Sequence, residues 1–171
     1  KTRTLFNMLG PLVNPARPPY ALIGVHQSEL IKPVVETAKL LGFERVAVVH
    51  GGGMDEVALH APTEVGELKG GVIRYYEVTP KDFGLNEHPL SLLRGGTAEE
   101  NRASLLRMLQ GEAPEAHEHA VAINVAMLLQ LFGDEDLKEN AERALTAIRE
   151  GCALELLYRI SKEGERHEYG A

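Results

Sequence analysis

The segment Val46–Glu56 constrains the fold of this chain more than any other. A short apolar run, Val46-Ala47-Val48-Val49, stops at His50 and three successive glycines, Gly51, Gly52 and Gly53. Met54 and two adjacent carboxylates, Asp55 and Glu56, follow at once. The run predicts a strand buried on both faces, as in a parallel sheet. Glycines at the carboxyl end of such a strand allow a sharp turn and a close approach to a ligand. Open α/β sheets bind ligands at those strand ends, so Asp55 and Glu56 are candidates for the rim of a pocket. Carboxylates there suit Mg2+, which is often held by one or two of them together with substrate phosphates. The same spacing also fits a hairpin turn carrying two solvated acids. Neighbouring residues of a strand point to opposite faces, so both acids serve one site only where the backbone is irregular.

The surrounding chain predicts an α/β domain. Tyr20–Val25 is a second buried-strand pattern, and Ser28 is placed to cap a helix whose apolar face is Ile31, Val34, Val35, Ala38 and Leu41. Gly42 stops that helix before the strand Arg45–His50. Strand, helix and strand at this spacing form a βαβ unit with parallel strands. Gly70-Gly71, between strand patterns at Thr63–Lys69 and Val72–Val78, signals a two-residue hairpin. The expected fold is therefore a mainly parallel sheet with an antiparallel hairpin, flanked by helices. Thr97-Ala-Glu-Glu100 matches a capping box for a helix ending at Gly111. Further helices are expected over Ala120–Leu131, after a cap at Asp134, and from Gly151 to about Lys162. Residues 3–9 predict a short helix, and four prolines between Pro11 and Pro19 predict an ordered hinge.

Composition narrows the function. Among 171 residues the net charge is −7, which disfavours nucleic acid and anionic membrane surfaces, because both need a basic face. No apolar stretch is long enough to span a bilayer. The lone Cys152 excludes an intramolecular disulfide framework and fits a reducing cytoplasm. It falls in an amphipathic helical pattern, which predicts a buried thiol. The seven histidines show no metal-ligand spacing; His117 and His119 do not share a helix face. His50 and His60 bracket the glycine–carboxylate loop, as pocket residues or as hydrogen-bonded structural ones. Gly95-Gly96-Thr97 before a helix N-terminus fits an anion site or a plain cap. The glycine run is neither a Walker loop nor a dinucleotide fingerprint.

The stretch Arg3-Thr-Leu-Phe-Asn-Met-Leu-Gly-Pro-Leu-Val-Asn-Pro15 resembles a signature of the anthranilate phosphoribosyltransferase family. His50-Gly with Met54-Asp55-Glu56, then Gly95-Gly96-Thr97 with Glu100-Asn101, then Ile123-Asn124-Val125-Ala126, agree with it in order and spacing. The resemblance covers essentially the whole chain as the C-terminal half of such an enzyme. It implies transfer of a phosphoribosyl group from phosphoribosyl pyrophosphate to anthranilate in tryptophan biosynthesis, with Asp55 and Glu56 as Mg2+ ligands and Arg3 on the anthranilate carboxylate. It implies residues 1–19 as a hinge and remnant of a helical domain, and 20–171 as the α/β domain. It also implies a homodimer of the intact parent and a cytoplasmic location. The family's diphosphate loop precedes the matched region, so a fragment inactive by itself is expected. The alternatives are a relative of this fold that binds nucleic acid without catalysis, and a pyrimidine nucleoside phosphorylase-like enzyme.

Overall fold

The computed structural model describes residues 10–168. Four strands form one sheet in the order β1 (Tyr20–Gly24), β2 (Arg45–Gly51), β3 (Thr63–Lys69) and β4 (Val72–Val78). β1 and β2 are parallel neighbours, with Tyr20 opposite Arg45 and Gly24 opposite Val49. Helix α1 (Ile31–Leu40) is their crossover. Gly70 and Gly71 close the β3–β4 hairpin, where Lys69 faces Val72.

The expectation of a mainly parallel sheet is corrected. β2 pairs with β3 antiparallel, from Arg45 opposite Lys69 to Gly51 opposite Thr63, so only one of the three pairings is parallel. The cause lies in the β2–β3 connection, which contains no helix. A parallel return needs a crossover of a dozen or more residues, usually helical; here the glycines reverse the chain directly.

The continuous apolar run of β2 follows from burial on both faces. Val46 and Val48 pack with Ile23, Leu68 and the Ile31, Val34, Val35 and Ala38 face of α1. Ala47 and Val49 pack on the opposite side with Val65 and with Ile123, Ala126 and Met127 of α3 (Glu115–Leu131). Helix α2 (Ala98–Leu109) precedes α3; α4 (Leu137–Arg149) and α5 (Cys152–Glu168) follow. α3 and α4 therefore cover the sheet face away from α1.

Several helix boundaries differ from expectation. Ser28 begins a single 3₁₀ turn, Ser28–Leu30, and makes no side-chain cap. The cap of α4 is Asp136, which accepts from the Lys138 and Glu139 amides, while Asp134 instead pairs with Arg143 at 2.7 Å. Cys152 is exposed at the start of α5, not buried. The Thr97–Glu100 capping box forms as expected.

Candidate active site

Gly52 and Gly53 both have positive φ, 53° and 91°. Flanking them, Gly51 and Met54 exchange two backbone hydrogen bonds of 3.0 Å. Two successive positive φ values define a type I′ turn, open to glycine without strain. The turn lifts the chain off the end of β2 and delivers Asp55 and Glu56 beyond the carboxyl ends of the parallel pair. The two sequence readings of this stretch are thus not exclusive: a tight turn exists, and it presents both acids at a strand-end rim.

Two contacts hold the acidic loop from opposite sides. A Cβ added to Gly24, the last residue of β1, would lie 1.6 Å from the Asp55 carbonyl oxygen. The bare α-carbon there lets the loop backbone sit directly on β1. From α3, Asn124 accepts from the Val57 amide at 3.0 Å and donates to the Val57 carbonyl at 3.3 Å. Its amide also donates to the Ala120 carbonyl in the same helix. Beyond Val57 the chain is buried through Ala58 and Leu59, and the Ala58 amide donates to Thr63 Oγ1 at 2.9 Å. Sequence reasoning singled out Asn124 only through the resemblance and read Gly24 as an ordinary strand residue. A glycine ending a strand pattern was the available signal.

The two bracketing histidines hold backbone. His50 Nδ1 lies 2.8 Å from the Val25 carbonyl and His60 Nε2 lies 3.1 Å from the Gly52 carbonyl. Because a carbonyl only accepts, each of these nitrogens donates. His50 ties β2 to the chain leaving β1, and His60 braces the glycine turn.

Glu56 lines a cleft of about 340 Å³ with Met54, Arg94, Asn101, Ser104 and His117. Asp55 stands beside it, exposed. Desolvation against the cleft wall, then the neighbouring Asp55 charge, push the Glu56 carboxyl above its ordinary value. Like charges at such proximity are relieved by a cation, and all-oxygen donors suit a hard one. These residues therefore fit Mg2+. On the far wall, Asn101 accepts from the Gly96 amide at 2.8 Å and donates to its carbonyl at 3.2 Å. Glu100 accepts from the Thr97 amide at 2.7 Å. That carboxylate takes the place of a foreign anion, so Gly95-Gly96-Thr97 acts as a cap, and Glu100 is held below its usual range by those bonds. His117 spans the wall, with Nε2 2.9 Å from the Leu92 carbonyl and Nδ1 3.3 Å from Ser104 Oγ. Arg3 lies outside the described residues.

Fold and site together define an α/β domain with an acidic loop facing a mostly apolar cleft that carries a few polar side chains at its strand ends. Residues 1–154 match the model of the glycosyl transferase family, a/b domain, and the chain belongs to that family. An anthranilate phosphoribosyltransferase of Pectobacterium atrosepticum is 61% identical over 164 residues, which is 96% of this chain and 46% of the relative. The crystal structure of an anthranilate phosphoribosyltransferase from Thermus thermophilus superposes with a TM-score of 0.82 at 39% identity, covering 92% of this chain and 47% of that one. The Saccharomyces cerevisiae enzyme in complex with PRPP and Mg gives 0.79 at 30% identity, over 90% and 45%. The chain spans about half the length of the relatives it matches. Among the described residues, no helix is long and apolar enough to cross a membrane.

Proposed function

We propose that this chain is the α/β part of a phosphoribosyltransferase that uses phosphoribosyl pyrophosphate and anthranilate, in which Asp55 and Glu56 hold Mg2+. The observation that carries the reading is the Gly52-Gly53 turn, which presents two adjacent carboxylates beside a cleft at the strand ends. The likeness to relatives of that activity supports it.

Bound at these acids, Mg2+ would neutralise charge developing on the diphosphate leaving group. The chain's own residues supply position. Gly24 and Asn124 fix the loop backbone, so the acids need no reorganisation when substrate arrives. Asn101 and Thr97 stiffen the opposite wall. Departure of a diphosphate leaves an oxocarbenium-like ribose, so placement and electrostatics outweigh any strong base. Arg3 is assigned to the anthranilate carboxylate, for which a guanidinium fork is a planar match. Residues 1–19 serve as hinge and helical-domain remnant, with 20–171 as the α/β domain, in a cytoplasmic homodimer without nucleic-acid or membrane partners.

The test is the double substitution Asp55→Asn with Glu56→Gln in the full-length protein, assayed across Mg2+ concentrations. Loss of several kcal/mol of charge stabilisation predicts a fall in turnover of roughly a hundredfold or more, with the fold intact. Near-normal turnover at limiting Mg2+ would overturn the assignment.

A further inference from the structure

His88, Glu115 and His119 come together although nothing in their sequence spacing joins all three. His88 leaves the loop after β4, and its amide donates to the Leu59 carbonyl. Glu115 and His119 stand four residues apart in the first turns of α3, which places them on one helix face. One ligand atom from each of the three lies within 4.8 Å of the others. His88 Nε2 and His119 Nδ1 are 3.1 Å apart, while Glu115 Oε1 lies 3.6 Å from the other ring nitrogen, His119 Nε2. Ligands of a tetrahedral zinc ion, each about 2.0–2.2 Å from the metal, stand roughly 3.4 Å from one another. The two rings are near that edge length already. The Glu115 side chain is exposed, so its carboxylate is free to turn from Nε2 toward the Nδ1 side of the His119 ring and close the triangle.

We infer that His88, Glu115 and His119 form a transition-metal site, selective for zinc-like ions over Mg2+, separate from the acidic loop. Two imidazoles and one carboxylate are the donor set of such ions, whereas Mg2+ prefers oxygen alone. The surroundings are suited to binding. His119 is buried, and desolvation, partly opposed by Glu115 and reinforced by His88, keeps its imidazole neutral. A neutral ring is the form that ligates. Asn86 Nδ2 donates to Glu115 Oε1 at 3.3 Å and so orients the carboxylate from behind. Arg149, the cation that acts on His119, is committed to Glu118 through bonds of 2.8 and 3.0 Å. Exposure of Glu115 leaves a coordination position for water. An ion here would pin the loop after β4 to the start of α3, whose His117 faces the other way, into the cleft.

The experiment uses the full-length protein carrying Cys152→Ser, which removes an exposed thiol, in excess Mg2+ to occupy hard-oxygen sites. Titration calorimetry with Zn2+ and visible absorption with Co2+ are the readouts. One Zn2+ per chain is expected, with ligand-field bands of a low-coordinate Co2+ complex. His88→Gln and Glu115→Gln alter half-buried or exposed positions and should each weaken Zn2+ binding at least tenfold without changing the circular dichroism. Absence of saturable Zn2+ binding, or binding that both variants leave unchanged, overturns the site.

Discussion

Asn124 on α3 and Val57 beyond the acidic loop are joined by a reciprocal pair of hydrogen bonds, amide to side-chain oxygen at 3.0 Å and side-chain amide to carbonyl at 3.3 Å. Val57 is 3% exposed, so neither backbone group has water as a substitute. Asn124→Ala leaves both unpaired, at about 1–3 kcal/mol for each group. The variant should unfold at lower urea and require more Mg2+ for half-maximal turnover. Unchanged Mg2+ dependence with lowered stability would confine Asn124 to a structural role.

Gly24→Ala tests the opposite support. The new methyl cannot coexist with the Asp55 carbonyl, 1.6 Å away, and β1 is held by pairing with β2. The loop is therefore the part that moves. A displacement of an ångström at a reacting centre costs about a hundredfold in rate. Turnover should fall by that order while the far-ultraviolet spectrum stays that of the parent, which steady-state kinetics and circular dichroism together check.

Glu56 gives a pH signature of its own. Its folded pKa is raised, so its stabilising contribution is complete below the ordinary carboxylate range and is lost as pH rises through the folded value. Glu56→Gln removes that dependence. In chelator, the melting temperature of the variant should equal or exceed that of the parent at neutral pH. The parent should gain on it as the solution is acidified. A parent that loses ground to the variant on acidification would contradict the assigned environment.

Arg3→Ala addresses anthranilate. One charge-assisted hydrogen bond contributes roughly 1.5–3 kcal/mol, or about ten- to a hundredfold in apparent affinity. The KM for anthranilate should rise by that factor, and dependence on phosphoribosyl pyrophosphate should change little. Arg3→Lys should recover only part, because lysine lacks the planar fork. Varying each substrate separately decides the matter, and an unaltered anthranilate KM would remove the role.

What the sequence made legible was local. The β2 run, the Gly70-Gly71 hairpin and the Thr97–Glu100 box each carry their signal within a few residues, and each formed as read. The direction of β3 was not local: it depended on the absence of a crossover helix, which a glycine-rich loop does not announce. Asp134 and Asp136 are both good caps two residues apart, and the choice fell to Arg143, which captures Asp134. Cys152 sits in a helical pattern whose last helix packs too little of itself to bury its first residue. The site followed the same division. The strand-end position of Asp55 and Glu56 was readable from the order of residues, whereas Gly24 and Asn124 hold their loop from 31 and 67 residues away, the latter counted to Val57. The meeting of His88 with His119 required the tertiary fold.

β2 is paired along both edges and covered on both faces, and Val46, Ala47 and Val48 are fully buried. No fraying end or surface opening exposes their amides, so exchange with solvent deuterium must wait for the whole domain to come apart. Those three protons are a built-in clock for global unfolding, against which the faster exchange of the Met54–Glu56 amides would time the opening of the acidic loop alone.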